Sequence, residues 1–407
     1  MFYTKRFLNF FTIDGYSTPV FLNLKSYSAQ KFNMVNELLS TIDDKILSIP
    51  LETLDRSVLT PESIVHRLNI VILIPKGWRT TEHHNYGTQG AQIEFLLQGL
   101  HENYHNVTIL EIDNQTNVYE DCLEVKLDDK LDSFRYLDII TNSNIIFVWS
   151  LTMLKPDFDF FTQLNKELDL NSKSGQKWIG VITKSPAMHV LKVYEKWSKT
   201  LSGAVFYEEN SPYVENLKKI FRVIHIPIIP LIPTKIVADE AFKTSVHFSG
   251  LLKQNRLAWL LTLRYQCIAL GIDYKIIAIS NLLKKKNSSG KYEPFQTFAE
   301  KKSKFGFGFV ITHRDVNTDA QLIGSFWDCY QLGLIPIVQM QNRSNLSSYL
   351  VPFLDYFPVY DSSDLMTILL AAKKHPELFN KIRDRIKLRV QHEFNSKKII
   401  SNLLRSI

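Results

Sequence analysis

The sequence keeps its reactive side chains in a few short clusters. Glu82, His83 and His84 stand together in the polar stretch KGWRTTEHHNYGTQG. A carboxylate or an imidazole can take the proton of a hydroxyl. The two histidines are adjacent, so they lack the HxH or HxxxH spacing that brings two ring nitrogens onto one metal ion. Asp157-Phe158-Asp159 places two carboxylates one residue apart, a DxD suited to a divalent cation, although so short a motif recurs by chance. His313 and Arg314 close the run FGFGFVITHRD, and side chains at the carboxyl ends of strands border the ligand crevice of open α/β sheets. The glycine pairs Gly87/Gly90 and Gly306/Gly308 do not complete the GxGxxG spacing of a dinucleotide fingerprint. There is no P-loop and no G-x-S-x-G, so the residues that would mark those nucleotide-binding and hydrolytic classes are absent.

Such side chains need elements to hold them, and the hydrophobic pattern supplies these. Residues 29–47 repeat Phe32, Val35, Leu38, Leu39 and Ile42 at helical spacing. LNIVILIP is a near-continuous β-branched run, the mark of a strand buried on both faces of a parallel sheet. The polar stretch with Glu82 follows, then the helical pattern AQIEFLLQGLHENY and the strand NVTILEID: one βαβ unit. NIIFVWS, KWIGVIT and GAVFYEE read as further buried strands with helical patterns between them.

In IPIIPLIPT the prolines 227, 230 and 233 stand three apart, which opposes helix and central strand and favours a stiff extended crossing. The alternation then restarts. SVHFSG is a strand, LLKQNR a loop, and LAWLLTLRYQCIALG a helix stopped by Gly271. IDYKIIAIS, FGFGFVITH, LIPIVQM and PVYD are strands, and TDAQLIGSFWDCYQLG is a helix closed by Gly333. From Ser362 onward the chain is helical, with Ser363 or Asp364 as a cap and Pro376 at a first helical position. The fold class expected is therefore α/β, two tandem doubly wound Rossmann-like domains with an N-terminal helical appendage. The expected division is 1–66 appendage, 67–234 first domain, 235–390 second domain and 391–407 closing helix.

GSFWDCYQLGLIPIVQ resembles the donor-domain signature of glycosyltransferases with the GT-B architecture, in their group-1 and spore-maturation-like members. That signature has an acidic residue on a helix, then a glycine and a small-Pro-apolar strand. Asp328 stands at the acid's place, with Gly333 and Pro336 near theirs and one extra residue between; Ser325 takes the place of the usual basic residue. VHFSGLLKQNRLAWLLTLRYQCIALGIDYKII is similar to the opening strand, loop, helix and strand of such a donor domain, with Gly250 ending the strand and Lys253 and Arg256 in or after the loop. LNIVILIP to NVTILEI is similar to the opening unit of the acceptor domain, where Gly87 and Gly90 let the loop come close to substrates. SKKIISNLLRSI is similar to the closing helix that packs back across the cleft.

The resemblance implies transfer of a sugar from a nucleotide-sugar donor to a glycan, a lipid-linked glycan or a protein, with no cofactor and no obligatory metal. Lys253 and Arg256 would clamp the leaving diphosphate, and His313 and Arg314 would meet phosphate or sugar. Asp328 would accept hydrogen bonds from a diol. Glu82 or His84 would act as base, beside the plainer reading of an ordinary polar loop. The DxD belongs to another glycosyltransferase architecture, which two tandem α/β domains do not match. The rivals are a non-catalytic subunit on the same scaffold, binding a sugar nucleotide or a partner protein, and a sugar-nucleotide epimerase.

Bulk properties narrow the setting. With 407 residues the chain is too long for one ordinary core. Apolar residues at 45% and charged residues at 22% describe a globular protein with no tract to call disordered. No run reaches the ~18 apolar residues of a membrane span, and the first residues lack the apolar stretch and cleavage site of a signal peptide. Three cysteines, Cys122, Cys267 and Cys329, far apart in the chain, form no disulfide framework or zinc motif; a reducing cytoplasm is expected. A net charge of +7 favours anions, but without the dense stripe of a nucleic-acid binder. Arg383, Arg385, Lys387, Arg389, Lys397, Lys398 and Arg405 give a basic tail that either rests on an anionic membrane or forms a solvated helix face.

Overall fold

A computed structural model describes residues 28–48, 67–75, 88–112, 118–121, 138–149, 175–182, 201–206, 214–225, 242–251, 254–279, 304–311, 324–340 and 350–407, with residue 346 and a few positions between 192 and 200. After helix α1 (Ser28–Ser48) come β1 (Asn69–Pro75), α2 (Thr88–Glu102), β2 (Asn106–Ile112), β3 (Val118–Asp121), β4 (Ile145–Trp149), β5 (Lys177–Ile182), β6 (Gly203–Phe206), α3 (Val214–Ile220) and β7 (Val223–His225). These strands form one sheet in the order β3-β2-β1-β4-β5-β6-β7. All neighbours are parallel except β2 and β3, which pair antiparallel.

Each central strand is buried on both faces, and its alternate residues enter different cores. In β1, Ile70, Ile72 and Ile74 join the core that includes α2, whereas Val71 and Leu73 join a second core with Trp178, Trp197 and Leu217. A period of two sends neighbours to opposite faces, which is why the run is apolar without a break. The sequence pattern does not mark β3: VYED, at the sheet edge, has too few apolar residues to signal a strand. Nor does it mark β7, three residues long.

The second sheet follows: β8 (Ser245–Leu251), α4 (Gln254–Leu270), β9 (Asp273–Ile279), β10 (Phe307–Ile311), α5 (Gly324–Gln331), β11 (Ile335–Gln339) and β12 (Phe357–Val359), in the all-parallel order β12-β11-β10-β8-β9. Three helices end the chain: α6 (Ser362–Lys374), α7 (Pro376–His392) and α8 (Ser396–Ser406). Gly271 and Gly333 sit at φ of 60° and 70°, the left-handed conformation that ends α4 and α5.

The cap of α6 is Asp361, two or three residues before the expected Ser363 or Asp364. Its carboxylate accepts from the backbone N–H of Ser363 and Asp364, while Asp364 reaches back to the N–H of Asp361, a reciprocal box. Pro376 opens α7 as expected.

Both chain ends cross between the two halves. α8 lies on α2 of the first half, sealed by Ile400 and Leu403. α1 lies on the second half, where Met34 meets Ser363 of α6 and Lys45 donates to the carbonyl of Pro352. The basic tail is corrected in one respect: Arg383, Arg385 and Arg389 are buried, so they cannot supply charge to a membrane surface. They lie on the inward stripe of α7 with Leu378, Phe379, Ile382 and Ile386. No helix among the described residues is long and apolar enough to cross a membrane.

Candidate functional site

In an open α/β sheet the ligand crevice lies beyond the carboxyl ends of two adjacent strands whose connections leave in opposite directions. In the second sheet these strands are β8 and β10; in the first they are β1 and β4.

Gly250 is the penultimate residue of β8, not its last, since the strand continues to Leu251. α4 starts at Gln254, so Arg256 lies in the first turn of the helix and not in the expected loop. Its side chain is only 6% exposed, and burial pulls its pKa below the ordinary value. A guanidinium is taken out of water only where neighbouring groups compensate it. Its position beside a helix N-terminus adds the partial positive charge of unpaired N–H groups.

α5 follows β10 and packs directly on it. A Cβ on Gly308 would stand 2.1 Å from the sulfur of Cys329, so only glycine allows this approach. Phe326, Trp327, Cys329 and Tyr330 are buried, whereas Asp328 is half-buried. Arg256 and Asp328 therefore ride on the two helices that follow the two strands of the switch point. Burial of Cys267, on the inward side of α4, pushes its thiol up to about 12, and it carries no reactive thiolate.

In the first sheet, Gly90 lies in the first turn of α2. Two polar atoms that the sequence did not mark stand near the same end. Trp149, the last residue of β4, is fully buried, and its indole N–H has no hydrogen-bond partner among the described residues; the side-chain oxygen of buried Gln92 on α2 is also without one there. Trp149 lines a small apolar hollow with Phe95, Phe147 and Ile400. Residue type alone does not signal such atoms, because an indole usually finds a partner.

Glu82, His84, Gly87, Lys253, His313, Arg314 and the DxD lie outside the described residues, as do the spaced prolines. Among the described residues no group of His, Cys, Asp and Glu could hold a metal ion.

No family model and no curated protein sequence matches the chain. Solved structures do. Sucrose-phosphate synthase from Thermosynechococcus elongatus is 11% identical with a TM-score of 0.50, over 83% of this chain and 98% of that one. The catalytic domain of starch synthase IV from Arabidopsis thaliana, bound to ADP and acarbose, is 10% identical with a TM-score of 0.48, over 82% and 100%. HepE from Anabaena, in complex with UDP and glucose, is 9% identical with a TM-score of 0.45, over 84% and 100%. At such identities the likeness is one of fold. Two doubly wound sheets and a terminal helix that returns to the first of them, matched over nearly the whole of sucrose-phosphate synthase, give this chain the GT-B fold.

Proposed function

We propose that the chain is a glycosyltransferase that moves a sugar from a nucleotide-sugar donor, without an obligatory metal, onto a glycan, lipid-linked or protein acceptor. The observation that carries this reading is the placement of Arg256 and Asp328 on the helices flanking the β8/β10 switch point. The proposed domains are residues 67–234 for the acceptor and 235–390 for the donor, with 391–407 as the closing helix.

In the transfer, the bond from the sugar's anomeric carbon to the diphosphate oxygen breaks, and its electron pair leaves with the diphosphate. Arg256, with Lys253 and the N-terminus of α4, stabilises that growing negative charge. Asp328 accepts hydrogen bonds from donor hydroxyls, assisted by His313 and Arg314, which follow β10 in the sequence. The acceptor oxygen bonds to the anomeric carbon and gives its proton to Glu82 or His84, in the sequence stretch that follows β1. Gly87 and Gly90, without side chains, allow substrates to come close where that stretch enters α2. The buried indole N–H of Trp149 supports an acceptor-side contact at the end of β4.

A thermal-shift screen with nucleoside diphosphates tests the reading. One nucleotide should raise Tm in the wild type and not in Arg256→Ala or Asp328→Ala. Binding at about a hundred times Kd contributes about 2.7 kcal/mol. No response to any nucleoside diphosphate would favour a non-catalytic subunit, for which the substitution of Ser325 at the motif's basic position speaks. Mass spectrometry then separates transfer from epimerisation, since an epimerase forms product with no acceptor present.

A further inference from the structure

Phe353 has a φ of 69°, a left-handed conformation that a bulky residue adopts only when its surroundings enforce it. The enforcing group comes from the other end of the chain. Lys45, in the last turn of α1, donates from Nζ to the carbonyl of Pro352 at 2.8 Å and lies 5.1 Å from the centre of the Phe353 ring. The turn closes on itself through Asp355, whose Oδ2 accepts from the N–H of Val351 at 2.7 Å.

Asp355 is fully buried and carries a second set of partners. Its Oδ1 accepts from the hydroxyl of Tyr330 on α5 at 3.0 Å, and its Oδ2 also accepts from Arg389 on α7. Arg389 in turn donates from Nε to Glu393 at 2.8 Å and stacks on Phe394, 4.8 Å from the ring centre. Phe394 packs edge-on against Trp327 and Tyr330. Residues 393–395 join α7, on the second sheet's half, to α8, on the first.

We propose that α1 is a strap that sets the root of the domain-crossing helix. Lys45 holds the strained Pro352–Asp355 turn. The turn presents Asp355 to Tyr330 and Arg389, and Arg389 fixes Glu393 and Phe394 where the chain departs for the other domain. The N-terminal appendage, docked on one half, thereby governs how firmly the last helix grips the other. This inference does not depend on any sugar nucleotide.

Hydrogen exchange of the full chain, read by mass spectrometry, tests it. Lys45→Met keeps the apolar stem of the side chain and removes the charge. It should speed exchange about fivefold in residues 350–356 and also in α8, which is seated on α2 of the first half. Glu393→Gln should speed α8 alone, and Lys45→Arg should stay near the wild type. If Lys45→Met speeds only residues 350–356, leaves α8 unchanged, or speeds β10 and β11 as much as α8, the strap is overturned.

Discussion

Gly99 of α2 lies directly beneath Ile400 of α8: a Cβ built on it would stand 2.3 Å from Ile400 Cγ1 and 2.6 Å from the carbonyl oxygen of Ser396. The backbones of two helices from opposite ends of the chain meet at this point. Ser396 adds a hydrogen bond to Glu102 at 2.7 Å, and Asn103 donates to the carbonyl of Lys397 at 3.0 Å. Gly99→Ala should lift α8 from its seat and cost about 1–3 kcal/mol, the usual range for overpacking. Denaturant melts measure the cost, and faster proteolysis near residues 396–406 should accompany it. A variant as stable as the wild type would mean that α8 does not hold this position in solution.

A similar close approach seats the helix that carries Asp328. Gly308→Ala would drive a methyl group to 2.1 Å from Cys329 Sγ and 2.8 Å from its Cβ. The expected loss is again about 1–3 kcal/mol. Adding Cys329→Ala removes the sulfur and should restore part of it. Additive losses in the double variant, followed by urea unfolding, would contradict a direct contact.

The Asp355 carboxyl has no exposure to water and is held by three donors. Asp355→Ala leaves Arg389 with Glu393 but strips its buried partner, a change that typically costs about 3–5 kcal/mol. Tyr330→Phe removes one hydrogen bond to a charged group and should cost about 1.5–3 kcal/mol. Equilibrium unfolding should rank the two in that order; the reverse order would show that the tyrosine, not the carboxylate, organises the cluster.

His105 gives the fold a dependence on acid. It is buried, its Nδ1 accepts from the N–H of Leu68 at 3.3 Å, and burial holds its pKa below the ordinary 6.5. The unfolded chain therefore binds the proton first. This contribution to stability is fully present above the ordinary value and is lost as pH falls through the folded one. His105→Gln, which cannot charge, should flatten the decline in urea midpoint as pH falls below the ordinary 6.5. Parallel declines in both proteins would assign the acid sensitivity to other groups.

Arg256 separates charge from geometry. Arg256→Lys keeps a cation but loses the planar fork that pairs two phosphate oxygens. It should weaken nucleotide binding about tenfold in titration calorimetry, with a smaller loss of Tm than Arg256→Ala. Wild-type affinity in both variants would remove Arg256 from the donor site.

Much of the scaffold was legible in the sequence because a strand buried on both faces and a helix buried on one leave different periods. LNIVILIP announced β1, and the run from Leu257 to Gly271 announced α4 with its stop. The two edge strands of the first sheet escaped: VYED and VIH are too short to establish a period. Among the candidate site residues, the helical position of Asp328 was legible, since GSFWDCYQ alternates at helical spacing. The state of Arg256 was not. As a sequence, QNR reads as polar loop, and only the three-residue earlier start of α4 turns the arginine inward.

By itself, then, the sequence determined two rounds of strand and helix, their order, and the glycines that stop α4 and α5, because these follow from periodicity and backbone sterics within a few residues. Only the tertiary structure decided what depends on distant partners. It buried three arginines of the basic tail, left the indole of Trp149 without a partner among the described residues, and joined Lys45 to Pro352 and Asp355 to Arg389. Burial and pairing arise from groups tens to hundreds of residues apart, and no local pattern records which of them will meet.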